Sequence, residues 1–145
     1  MTTCELCRNA GGEVVAQTRQ WRVVRVVDAA FPAFYRVIWN PHVAEFSDLS
    51  PADRGECMDV VTRVERVLRE QLSPTKVNLA SLGNVVPHLH WHVIARFDWD
   101  SHFPLPVWAS ATRAVDPPAA TRLRVGLDEL DALVARAVAV LAPAL

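Results

Sequence analysis

The segment His88-Leu89-His90-Trp91-His92-Val93 decides how this chain is read. Side chains alternate along a strand, so the three imidazoles share one face while Leu89, Trp91 and Val93 share the other, turned to a core. A solvated strand face carries Lys, Thr or Glu more often than three histidines. The row therefore points to a site rather than to packing. On a regular strand His88 and His92 lie about 13 Å apart. Each imidazole reaches roughly 6 Å to a metal, so the row does not close a single three-histidine zinc site. It suits a phosphoryl group better: one ring attacks and its neighbours donate hydrogen bonds to the anionic oxygens.

Working outward, residues 85–97 read as the strand that carries the histidines. Gly83-Asn84 marks a turn before it, and 76–82 reads as a preceding strand. Ser50-Pro51-Ala52-Asp53 is a helix start, with Ser50 as cap and Pro51 at the first helical position. Met58, Val61, Val64, Leu68 and Leu72 then recur at helical spacing until Ser73-Pro74. Upstream, 13–18, 21–27 and 34–39 are β-branched or aromatic strand candidates. In the second, odd and even positions compete for the core face. Asn40-Pro41 stops the third. Residues 98–118 form a loop rich in Pro and Trp, too long for a plain connector. Residues 128–141 predict a helix with Leu130, Leu133, Val134 and Val138 on one face.

The chain has 145 residues, enough for one domain with a sizeable core, and 51% are hydrophobic. A net charge of −1 argues against a partner bound through bulk charge, so no nucleic-acid polymer is expected. The most apolar stretch, 133–145, is short and interrupted by Arg136 and Pro143, so no membrane span is expected. The N-terminal residues lack the pattern of a secretory signal. With three cysteines, an odd count, a cytoplasmic location is the expectation.

Cys4-Glu5-Leu6-Cys7 is a C-x-x-C pair with three readings: a redox pair, an incidental pair, or half of a zinc site. The redox reading needs a strand before Cys4, and only three residues precede it. A zinc site needs two more ligands, for which His42 and His88 are available.

The triad resembles the signature of the histidine triad (HIT) family. Val37-Ile38-Trp39-Asn40-Pro41-His42 is similar to the family's strand-plus-histidine segment, and Asn78 sits on a strand before the Gly83-Asn84 turn, as in that family. The resemblance spans roughly residues 4–97. It implies an α+β, HIT-like fold: an antiparallel β-sheet, one long helix and a C-terminal helix. Residues 1–110 would form the HIT-like domain including the C-x-x-C. Residues 111–145 would be an extension whose helix packs on the domain or on a dimer. The implied activity is hydrolysis or transfer at a nucleotide α-phosphate, of the dinucleoside polyphosphate or nucleoside phosphoramidate type, by a homodimer. His90 would be the nucleophile and form a nucleotidyl-histidine intermediate. His92 would hold a phosphate oxygen, and Asn78 and Asn84 would line the nucleotide pocket. Cys4, Cys7, His42 and His88 match a structural zinc arrangement found in some relatives. Two positions depart from the usual pattern: Val85 stands where many members have a hydroxyl, and Phe34 where many have a histidine. The alternatives are a nucleotide-binding module without appreciable turnover and a zinc-dependent hydrolase with an open metal position.

Overall fold

Strands rich in valine and aromatic residues assemble into one antiparallel sheet. The computed structural model describes residues 3–142; 1–2 and 143–145, the outer ends of the two segments delimited above, lie outside it. A short helix α1 (Glu5–Arg8) leads into β1 (Glu13–Gln17), β2 (Trp21–Arg25) and β3 (Phe34–Trp39). The long helix α2 (Pro51–Leu72) is followed by β4 (Lys76–Ala80), β5 (His90–Arg96) and α3 (Leu127–Ala139). The strand order is β1-β2-β3-β5-β4, with every neighbouring pair antiparallel. The α+β class and the antiparallel sheet read from the sequence are present.

Helix α2 starts where its residues dictate. The Ser50 hydroxyl accepts from the Asp53 N–H, Pro51 occupies the first turn, and Ser73 ends the helix in the left-handed conformation. Its buried stripe, Val60, Val64 and Leu68, packs with Leu130, Val134 and Val138 of α3 against Val23, Tyr35, Val37 and Val93. The other sheet face is covered as well, by Leu6 against Val24 and Ile38 and by Phe31 and Phe34 against Ile94. Odd and even positions of β2 competed for the core in the sequence because both faces of that strand are buried.

Strand β5 is shorter than the 85–97 predicted. Pro87 has no N–H to give a ladder, and the chain before it bends. Leu89 still bonds across to Val43 and Trp39, but His88 N–H donates to Val86 O at 2.8 Å, outside any strand. His88 therefore leaves the row. Only His90 and His92 share the sheet face, opposite Ile38 and Arg36 of β3.

The 98–118 segment is held by one buried ion pair. Arg96 Nε donates to Asp100 at 2.8 Å, with both side chains no more than 3% exposed. The same carboxylate accepts from the N–H groups of Phe97, His102 and Phe103. His102 is half-buried with its ring 4.9 Å from that of Phe31.

Helix α3 is tied to the sheet by Asp131. It accepts from the Tyr35 hydroxyl at 2.6 Å and from Arg25 Nε at 2.9 Å. Asp131→Ala leaves the hydroxyl of fully buried Tyr35 and a cation without their acceptor. We expect it to cost about 2–3 kcal/mol in urea unfolding. A loss under about 0.5 kcal/mol, the size of a solvated ion pair, would show that α3 is not anchored there.

Candidate functional site

His88 is the residue around which the site is built. Its ring is fully buried. Nε2 lies 2.6 Å from Trp39 O, so this nitrogen carries the proton and donates to the carbonyl. Nδ1 is then left with a lone pair. It faces Cys4 Sγ at 3.3 Å, Cys7 Sγ at 3.5 Å and His42 Nδ1 at 3.1 Å. Cys7 Sγ is also 3.5 Å from His42 Nδ1. The four ligand atoms all lie within 4.8 Å of one another. The edges of a tetrahedron with metal–ligand bonds of 2.0–2.3 Å are about 3.3–3.8 Å long, and the four separations of 3.1–3.5 Å lie near that range. Cys4, Cys7, His42 and His88 can thus hold a metal ion.

Arg22 brings the cysteines there. Its buried guanidinium, on the sheet face opposite α2, donates to Leu6 O at 2.7 Å, Asn9 O at 3.0 Å and Ala10 O at 2.9 Å. It also donates to Asn40 Oδ1 at 2.6 Å, and Asn40 flanks the Pro41-His42 turn. One side chain thereby fixes both the C-x-x-C segment and the approach to His42. Sequence reasoning passed over Arg22. The signal was an arginine set between Trp21 and Val23 inside a valine-rich strand.

The main chain of His88 serves a second group. Its carbonyl oxygen lies 2.6 Å from His90 Nδ1. That contact requires a proton on Nδ1, which leaves the lone pair of His90 on Nε2. His90 is 8% and His92 5% exposed, and their ring centroids are 4.9 Å apart. Both line a cavity of about 470 Å³ with Arg36, Leu82, Asn84, Val85 and Trp108. Trp108 packs edge-on against His92, with centroids 5.3 Å apart. The Pro/Trp-rich segment therefore reaches the cavity through this one ring. Gly83, at φ +77°, makes the turn that forms the cavity rim, in a region that L side chains rarely adopt.

Burial disfavours the charged form of both imidazoles. His90 lies below the ordinary imidazole range, first through desolvation and then through Arg36, against the opposing pull of the His88 carbonyl. His92 is pushed down to about 4 by desolvation, then by His90 and Arg36. His92 Nδ1 and Arg36 Nε, on directly paired positions, are buried without a hydrogen-bond partner among the described residues.

The residues picked from sequence thus fall into three places. Cys4, Cys7, His42 and His88 form one cluster, and His90, His92 and Asn84 line one cavity. Asn78 lies apart: its Oδ1 accepts from Arg96 Nη1 at 2.9 Å, and it is not among the cavity's lining residues. Phe34 stands beside His92, with centroids 5.4 Å apart. Arg36, in the same cavity, was not singled out from sequence.

The fold and this pair of sites define a small α+β protein with an imidazole-lined cavity built beside a thiol–imidazole cluster. The HIT domain model matches residues 8–99, and the chain belongs to the HIT family. A histidine triad protein of Bradyrhizobium japonicum is 27% identical, with a TM-score of 0.68 over 87% of this chain and 91% of that one. One from Marinobacter aquaeolei is 22% identical with a TM-score of 0.73 over 97% and 98% of the two chains. One from Sinorhizobium meliloti is 23% identical with a TM-score of 0.66 over 90% of each. The chain matches no curated protein sequence. No helix among the described residues is long and apolar enough to cross a membrane.

The displaced pKa of His92 has a consequence for stability. An unfolded histidine takes up its proton near 6.5, whereas the folded residue does so only near 4. Its contribution is complete above pH 6.5. As pH falls from 6.5 to 4, the unfolded chain gains a proton that the folded chain refuses. The fold should lose about 3 kcal/mol over that window through this residue, and nothing further below it. Urea unfolding across this range should show a shallower acid loss for His92→Gln than for the wild type. Parallel profiles would contradict the assignment.

Proposed function

We propose that the protein hydrolyses or transfers a nucleotidyl group at the α-phosphate of a nucleotide conjugate, with His90 as nucleophile. The observation that carries this reading is the hydrogen bond between His90 Nδ1 and the His88 carbonyl. It leaves Nε2 unprotonated, the form in which an imidazole attacks. In the first step the His90 Nε2 lone pair forms a bond to phosphorus. The bond to the leaving group breaks, and that group departs with the electron pair and takes a proton from solvent. In the second step water attacks the same phosphorus, the P–N bond breaks, and His90 is released neutral with its lone pair restored. The water's proton goes to solvent. His92, neutral at pH 7, offers one N–H to a phosphate oxygen, and Asn84 lies on the cavity wall to meet the nucleotide. Phosphoramidates and dinucleoside polyphosphates are the substrate classes that the family resemblance implies.

The metal in this reading is zinc, which soft thiolates and imidazole nitrogens favour in tetrahedral array. With four protein ligands it supplies no reacting water; its chemistry is to bind the N-terminal segment to His42 and His88. Thiolate ligands persist in a reducing cytoplasm, which supports that location. The acting unit is a homodimer; the edge strand β4, whose Leu79 is 43% exposed, supports this. A net charge of −1 supports a small-molecule substrate rather than a nucleic-acid polymer.

Binding without turnover is the competing reading. It rests on Val85, which is 92% exposed on the turn and brings no hydroxyl to a leaving group. Chemistry separates the two. His90→Ala should lower turnover of an adenosine or guanosine phosphoramidate by several orders of magnitude while the melting temperature stays near that of the wild type. Acid-stable quenching is unsuitable for a P–N bond, so the wild type should be quenched in base and digested. Mass spectrometry should then place the nucleotidyl adduct on the peptide containing His90. Full activity in the variant, or an adduct elsewhere, would overturn the mechanism.

Metal analysis of the purified protein should find about one zinc per chain. Cys4→Ser should lose it and melt at a lower temperature. Metal-free wild type, or a Cys4→Ser variant with unchanged metal and stability, would remove zinc from the account.

A further inference from the structure

His90 and His92 share the cavity with Asn84, Trp108 and apolar side chains, and an anionic phosphate bound there needs a fixed positive charge close by. Among the described residues that line the cavity, Arg36 is the one formal cation, and exposed Glu5 the one carboxylate.

Arg36 is placed for more than packing. It stands directly opposite His92 in the β3–β5 ladder, and paired positions put Cβ atoms about 5 Å apart. Its neighbours along β3 on the same face are Phe34 and Ile38, both buried apolar residues. A solvated charge has no reason to stand between them. No carboxylate pairs with it among the described residues: the ion pairs there are Arg25–Asp131 and Arg96–Asp100. A guanidinium has five N–H donors. One, on Nη1, is anchored to Gly11 O at 3.0 Å, and Nε is buried without a partner. Two buried arginines contrast with half-buried Arg36. Arg22 and Arg96 spend their donors on backbone carbonyls and side-chain oxygens of the fold. Arg36 is a cation held on a rigid strand with donors to spare, in the same cavity as His90 and His92.

We propose that Arg36 binds the phosphate on which His90 acts, through the guanidinium donors that the fold leaves unused. This rests on the phosphoryl-transfer reading above. It deepens that reading by assigning recognition of the anion to a side chain outside the triad. The ligand class follows: the cavity selects a nucleoside that carries an anionic phosphate over the same nucleoside without one, and it does so through Arg36. Val85 leaves the turn without a hydroxyl, so charge from Arg36 in the same cavity takes a larger share of stabilising the anion as bonds change.

The test is calorimetric binding of AMP, adenosine, GMP and guanosine to metal-loaded protein as purified. Wild type should prefer the monophosphate to its nucleoside. Arg36→Gln keeps amide donors and removes the charge. It should weaken monophosphate binding about 30-fold, the size of one charge-assisted hydrogen bond, and leave nucleoside binding unchanged, which also reports that the variant is folded. Arg36→Lys restores a point charge without the planar fork and should recover part of the loss. Arg36→Leu suits a buried strand position and carries the same comparison if glutamine disturbs the fold. The same monophosphate-to-nucleoside ratio in wild type, Arg36→Gln and Arg36→Leu would overturn the assignment while leaving the nucleotide reading intact. Wild type that binds none of the four would overturn both. Loss of nucleoside and monophosphate binding in equal measure would also overturn it, since that is the mark of a structural role.

Discussion

One residue joins the two halves of this molecule. The His88 ring turns one nitrogen to the Trp39 carbonyl and the other to Cys4, Cys7 and His42, while the His88 carbonyl holds the ring of His90. Each contact fixes a proton. The Trp39 carbonyl forces the lone pair of His88 toward the thiols, and the His88 carbonyl forces the lone pair of His90 onto Nε2. A tautomer is thus set by backbone geometry at both places, without a carboxylate partner. The ring orientations of His88 and His90 are two ends of one rigid peptide.

The rest of the fold keeps that peptide in place. Residues 85–89 belong to no strand, so their position depends on what lies on either side. Strand β5 starts immediately after them and is central in the sheet, between β3 and β4. Arg22 fixes the C-x-x-C segment from below through three carbonyls. Arg96, on the same sheet face two turns of the pleat beyond His92, fixes the 98–118 segment through Asp100 and Leu105 O, and so brings Trp108 to the cavity. Buried arginines are costly unless their donors are matched. Arg22 and Arg96 meet that condition by gathering irregular chain, which has carbonyls to offer because it makes no ladder.

Much of this was legible from residues alone. Alternation in His90-Trp91-His92-Val93 gave the correct two faces of β5, and Ser50-Pro51 and Ser73 gave the limits of α2. The start of β5 was misjudged because alternation was carried through Pro87, whose missing N–H was the contrary signal. His88 was therefore placed in a row with His90 and His92, when its ring serves the cysteine cluster. That cluster was legible only by resemblance: nothing in spacing alone brings Cys4 and Cys7 to residues 35 and 81 or more positions away. The arginines were missed for a physical reason. A lone arginine on a strand reads as a solvated charge until register shows what stands opposite, and only the β3–β5 pairing places Arg36 across from His92.

The central claim is that the His88 carbonyl sets the protonation pattern of His90, and nitrogen NMR of the imidazoles tests it most directly. Long-range ¹H–¹⁵N correlation at pH 7 on selectively labelled protein distinguishes pyrrole-like from pyridine-like ring nitrogens. The structure requires a protonated Nδ1 and an unprotonated Nε2 on His90, with the reverse on His88, whose Nε2 bears the proton. A His90 signal with its proton on Nε2 would contradict the account, because the lone pair would then sit on the nitrogen turned toward the His88 carbonyl.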